Sequence, residues 1–161
     1  MLDLRYKLDH NATKSAIKNL SSFELTKELI SNELFYGEVE IYCKACNKIE
    51  FKAFLFQFLD GFLGGLKVLK NDLKPEKFKD AEIGVFDYRY NEYDFSILKK
   101  EDVIQIRDEN TACEFETKFQ HLWKLFTNTK ANLIADVLEV YPQFSNNDYF
   151  KTNPNTNLTS L

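Results

Sequence analysis

Within a few residues the hydrophobic period of this chain changes from two to between three and four, and that switch limits the folds open to it. From Tyr36 onward, Val39, Ile41 and Cys43 lie on one face of an extended segment while Glu38, Glu40 and Tyr42 lie on the other. That is the pattern of a half-buried antiparallel strand. Ile49 and Phe51 then alternate with Glu50 and Lys52, so the two runs, joined across Lys44 to Lys48, predict a β-hairpin. Phe54, Phe58, Phe62, Leu66 and Leu69 follow at steps of four and three, with Leu55, Leu59 and Leu63 widening the stripe, which predicts a strongly buried helix. Gly61, Gly64 and Gly65 each cost about 1 kcal/mol relative to Ala in a helix interior, so they imply close backbone packing or an early helix end. Asn71, Asp72 and Pro75 mark a loop.

Beyond that loop the runs Ile83 to Tyr90, Tyr93 to Leu98, Val103 to Arg107 and Cys113 to Glu116 are β-branched or aromatic and are separated by short polar turns. They predict an antiparallel meander. Phe119, Leu122, Trp123, Phe126, Leu133, Ile134, Val137, Leu138 and Tyr141 recur at helical spacing until Pro142 ends them, with Thr127-Asn128-Thr129 as a point of bending or breaking. Before the hairpin, Leu2, Leu4 and Tyr6 alternate with charged residues as in a short strand, while Phe23 to Ile30 fits strand and helix alike. The expectation is an α+β domain over residues 1–142: an antiparallel sheet of about five to six strands in ββαβββα order, with helices packed on one face. Residues 143–161 read as a polar tail, ordered near Phe144, Tyr149 and Phe150.

Of the 161 residues 44% are hydrophobic and fifteen are Phe, which is enough apolar area for one real core. The formal charge of −4 opposes direct binding of nucleic acid and favours a basic protein partner. The most apolar stretch, Ala53 to Leu66, carries Gln57 and Asp60 and is shorter than the ~20 residues a membrane span needs, so no membrane role is expected. The start of the chain offers no apolar core of a secretory signal, and three cysteines make no disulfide framework. A reducing cytoplasm is the expected compartment.

Chemistry-bearing motifs are few. Cys43-Lys44-Ala45-Cys46 has the spacing to grip one edge of a zinc ion, but the remaining Cys113, His10 and His121 do not repeat it, so the pair is read as packing and no metal is expected. His121 lies beside the apolar stripe of the last helix and reads as structural. No nucleophile elbow, zinc-protease motif or phosphate loop occurs, so neither catalytic residues nor a cofactor are assigned. Acidity, however, is concentrated. Residues 81–116 hold ten carboxylates against four cations, a local balance of −6 that leaves +2 for the rest of the chain. Asp87, Glu92, Asp94, Glu101, Asp102, Glu114 and Glu116, interleaved with Tyr88, Tyr90 and Tyr93, form the candidate partner-binding residues, since interfaces favour Tyr as a buried anchor. Glu38 and Glu40 are expected to extend the same acidic face.

The segments Phe35 to Tyr42, the Phe-rich helix after it and Val85 to Phe95 give the chain, over about Phe35 to Tyr141, an architecture that resembles the small acidic immunity proteins of contact-dependent growth inhibition and related polymorphic toxin systems. The resemblance implies a cytoplasmic, non-enzymatic protein, monomeric or weakly self-associating. Such a protein binds one cognate toxin domain, commonly a basic nuclease, and occludes its active site or an exosite. The alternatives are a small-molecule-binding α+β domain or an enzyme of unknown substrate, which would need a pocket between sheet and helices, and a structural oligomer.

Overall fold

The computed structural model describes residues 2–18, 20, 25–44, 47–72, 83–90, 93–108 and 113–151; at 47, 71, 72, 83–90 and 93 the backbone alone is described. Among these residues the chain is α+β with antiparallel strands throughout. Strands β1 (Asp3–Leu8), β2 (Tyr36–Cys43) and β3 (Asn47–Phe54) form one sheet in that order, and β4 (Ile83–Tyr90), β5 (Tyr93–Lys100), β6 (Val103–Asp108) and β7 (Cys113–Lys118) form a second. Helices α1 (His10–Lys18) and α2 (Lys27–Leu29), the latter running into a π-helical turn at Ile30–Leu34, lie between β1 and β2. Helix α3 (Leu55–Asp72) joins the sheets, and α4 (Phe119–Val140), a 3-10 turn (Pro142–Asn146) and α5 (Asp148–Lys151) follow the meander.

Two sheets of three and four strands thus replace the single sheet of five to six expected from the pattern. Alternation reports which face of a strand is buried, and it is blind to which sheet the strand joins. The N-terminal segment supplies the third strand of the first sheet: β1 lies against β2 with Leu4 opposite Ile41 and Leu8 opposite Gly37. Glycine at 37 is required there, because an added Cβ would run into the Lys7 carbonyl on the neighbouring strand. The first helix begins where Asp9 accepts a hydrogen bond from the Ala12 N–H at 2.9 Å, a side-chain N-cap.

Helix α3 starts one residue after β3 ends, its Leu55 N–H bonded to the Phe35 carbonyl at 2.8 Å. Phe54 therefore closes the strand instead of opening the helical stripe. The helix runs through its three glycines and on to Asp72, past the predicted loop start at Asn71. Two aromatic hubs explain the Phe content. Phe56 meets Phe35 at 5.2 Å and Tyr149 at 5.3 Å, and Phe35 in turn meets Phe144 and Phe150. Phe144, Tyr149 and Phe150 are buried, so the packed part of the chain extends past Pro142 into α5; residues 152–161 lie outside the described residues.

The second hub fuses the sheets. Phe62 stacks on Phe126 of α4 at 4.1 Å and approaches Phe95 of β5 at 6.5 Å, while Phe58 contacts Phe51 of β3 at 5.1 Å. Leu4 and Ile41 of one sheet and Ile106 and Phe115 of the other line the same void of about 10 Å³, with Phe62 and Phe126 between them. That is room for about one water and for no ligand. Helix α4 is continuous at Thr127-Asn128-Thr129, because Thr127 and Thr129 are buried and return their hydroxyls to the Trp123 and Leu125 carbonyls at 2.9 and 2.8 Å.

Candidate functional site

In the four-stranded sheet Phe95, Ile97, Ile104, Ile106 and Phe115 face the core, so alternation turns Asp94, Ser96, Leu98, Lys100, Val103, Gln105, Arg107, Glu114, Glu116 and Lys118 outward. Register then sets neighbours: Gln105 lies opposite Glu116, and Arg107 opposite Glu114. The Gln105 amide donates to Glu114 Oε1 at 2.6 Å and reaches Glu116 Oε1 at 3.4 Å, so one neutral group serves two carboxylates. Val103, beside the turn, is 39% exposed. Of the other predicted residues, Asp94 sits at the opposite end of β5 from the Glu101-Asp102 turn, which separates them by most of a strand length. The backbone register pairs Asp87 with Ser96, Tyr88 with Phe95 and Tyr90 with Tyr93. The side chains of those three β4 residues and of Tyr93, and the whole of Glu92, lie outside the described residues.

Glu101 and Asp102 form the two-residue β5–β6 turn, with Lys100 paired to Val103. Glu101 holds φ at 52°, the left-handed region that glycine and asparagine adopt most cheaply. The Asp102 carbonyl accepts the Phe119 N–H at 2.7 Å, which satisfies one orphan donor at the start of α4, where Lys118 gives no side-chain cap. Acidity in this turn thus also suits the positive end of a helix. Burial lowers the pKa of Lys99, whose ammonium lies 5.1 Å from the Phe119 ring centroid, and Asp102 works against that shift.

Glu38 and Glu40 do not extend this face. They belong to the other sheet, where Glu38 lies between Lys7 and Lys52 and Glu40 between Arg5 and Glu50. Tyr42 donates to Glu40 at 2.8 Å, Lys48 bridges Glu40 and Glu50, and Arg5 pairs with Asp3 at 2.8 Å while lying 4.8 Å from the Tyr42 ring centroid. The Tyr42 hydrogen bond, helped by Lys48 and Arg5, holds the Glu40 carboxyl below its ordinary pKa.

A third region was not singled out from the sequence. Between α2, α3, α4 and α5 opens a cleft of about 850 Å³, bordered by a polar trio. Asp60 of α3 accepts Lys130 Nζ of α4 at 2.5 Å and the Tyr149 hydroxyl of α5 at 2.6 Å. Lys130 also lies 5.1 Å from the Tyr149 ring centroid. Burial, then the charge and hydrogen bond of Asp60, raise the Tyr149 pKa far above the ordinary phenol value. The trio ties three helices together over sequence separations of 70 and 89. The one signal available in the sequence was Asp60 itself, a carboxylate inside an apolar run that needs a partner once partly buried.

Cys43 is buried on the core face of β2 and Cys46 lies outside the described residues. Cys113 is disulfide-bonded, against the expectation of a chain without disulfides. Among the described residues no His, Cys, Asp and Glu side chains group as a metal site, and no helix is long and apolar enough to cross a membrane. His121 is exposed, with Nδ1 3.4 Å from the Thr117 hydroxyl, and not tucked beside the apolar stripe. Comparison with protein-family models, with curated proteins and with solved structures finds no match to the chain.

Proposed function

We propose that the chain is an immunity protein, a non-enzymatic inhibitor that docks a basic toxin domain against the outward face of its four-stranded sheet and occludes that toxin's active site or an exosite. The observation that carries this reading is the contrast between the two outward faces. Beside the three-stranded sheet, which closes its charges into a ladder of its own, the four-stranded sheet shows an exposed Val103 and a half-buried Leu98 next to the Glu101-Asp102 turn, with Glu114, Glu116 and the cations Lys100, Arg107 and Lys118 along the same outward face. Exposed apolar side chains flanked by charge suit a protein interface. The acids would steer a basic partner and select against others, while Val103 and Leu98 supply apolar contact. A strained Glu101 also fits this reading, because left-handed backbone carrying a charged residue is the kind of local cost found at functional sites.

The test is co-purification of the tagged chain with a toxin domain encoded directly upstream, followed by calorimetry at low and at physiological salt. One-to-one binding that weakens with salt and silences the toxin is the expected result. Reversal of Asp94, Glu114 and Glu116 to Lys should weaken it at least tenfold. Unchanged affinity of that triple variant for a verified partner would reject this face.

A further inference from the structure

We infer that the helical cleft is a second binding site, built for a small anion with a flat apolar body, such as an aromatic carboxylate or sulfonate. Its volume of about 850 Å³ falls in the range of small-molecule sites, and it shares no residue with the sheet face. One wall is apolar: Leu63 and the half-buried Trp123 stand beside the exposed backbone of Gly64. A Cβ built on Gly64 meets nothing within 4 Å, so helix α3 bares its backbone to open space at the point where a planar group could lie flat. At Gly64 no neighbouring side chain fills the space a Cβ would take, so packing does not repay the helix-propensity cost of glycine there.

Charge decides what such a planar group must carry. Lys27, Lys67 and Lys130 line the cleft with Asp60 and Asp148, a local balance of +1 in a chain of net −4. Asp60 is occupied by Lys130 and Tyr149, so Lys130 is already paired. Lys27 and Lys67 are exposed and make no ion pair with the described residues. Lys67 lies one helical turn beyond Leu63 and Gly64, on the same face of α3, and its ammonium is the charge left to meet an anionic head group while the apolar body rests on Leu63 and Trp123. A cationic ligand would meet the two lysines instead, and a neutral one would leave them unused.

Trp123 is the only tryptophan in the chain, so emission from this wall reports occupancy directly. The probe is 8-anilinonaphthalene-1-sulfonate, titrated into the full-length folded chain while Trp123 emission and energy transfer to the bound dye are followed. We expect one saturable site per chain and strong quenching of Trp123. Gly64→Leu, which places a side chain in the open space and raises helix propensity, should weaken binding at least tenfold. Lys67→Glu should weaken it several-fold and abolish its salt dependence, and Gly64→Ala should keep it. Each variant is checked for an unchanged cooperative melt, and Lys67→Glu alters only an exposed side chain, so loss of fold cannot stand in for loss of the site. The inference is overturned if the dye fails to bind, if it binds without quenching Trp123, or if Gly64→Leu and Lys67→Glu both bind as the parent does.

Discussion

The two sheets are built from the same kinds of residues and finish their outer faces in different ways. On the three-stranded sheet every outward carboxylate faces a cation or a donor: Asp3 has Arg5, Glu38 has Lys7 and Lys52, and Glu40 has Tyr42 and Lys48. On the four-stranded sheet Glu114 lies opposite Arg107 and shares the amide of Gln105 with Glu116, and an exposed Val103 sits between Lys100 and Lys118 at the turn. The first arrangement satisfies the fold alone, whereas the second also leaves the apolar side chain of Val103 directed at solvent. Similar patterning in sequence therefore hides different surfaces, because cross-strand partners and not strand composition decide how a charge is answered.

That comparison presumes that the sheets belong to one cooperative unit, and Phe62 is where the presumption is most exposed. Its ring is 2% accessible, stacks on Phe126 and borders residues of both sheets. Phe62→Ala should cost about 4 kcal/mol, the transfer of a buried ring plus the cavity it leaves. Urea unfolding followed by Trp123 fluorescence and by far-ultraviolet circular dichroism should shift together. Separate transitions would show that the sheets fold independently and that their faces should be compared as two proteins.

The next effect belongs to the helical layer. Asp60→Ala strips the acceptor from Lys130, 16% exposed at its side chain, and from the Tyr149 hydroxyl. A loss of about 2 kcal/mol is expected, since two donors are left partly buried without a partner. Tyr149→Phe should cost about half as much, because Lys130 keeps Asp60. If Asp60→Ala were neutral in urea, the trio would be a surface ornament and neither the cleft nor the docking of α5 would depend on it.

The hairpin, both long helices and the meander were legible because each carries a clean hydrophobic period over many residues, and the α+β class follows from their order. What was illegible had no local signal. The pairing of β1 with β2 is decided across about thirty intervening residues, and the π-helical turn at Ile30–Leu34 looks like an ordinary helix or a strand until its neighbours are present. Glu38 and Glu40 read as part of the acidic face because alternation gives a face within a sheet and no means of separating two sheets. Lys130 and Tyr149 were silent for a related reason: a lysine in mid-helix and a tyrosine in a polar segment are commonplace, and only the fold brings them to Asp60.

Glu101 offers an effect of opposite sign. Glycine at 101 relieves about 1 kcal/mol of left-handed strain and loses part of that through the greater freedom of the unfolded chain, so Glu101→Gly should raise stability by about 0.5 kcal/mol. On the proposed binding face the same change should weaken the toxin complex. A variant that is both more stable and an equally good inhibitor would remove Glu101 from the interface and leave its conformation without a functional account.

The smallest effects separate the two outer faces most directly. Glu40→Gln removes a carboxylate whose pKa is lowered mainly by the Tyr42 hydrogen bond, so the stability it contributes is present above the ordinary glutamate pKa of about 4.3 and is lost as pH falls through the lower folded value. At neutral pH and low salt Glu40→Gln should therefore melt slightly earlier than the parent, with the difference shrinking below about pH 4 and in high salt. Glu116→Gln removes one of two carboxylates held on a single amide, and it should leave the melt unchanged or move it slightly upward. If both substitutions lowered the midpoint equally, the four-stranded sheet would be answering its charges as fully as the three-stranded one, and its acidity would need no partner.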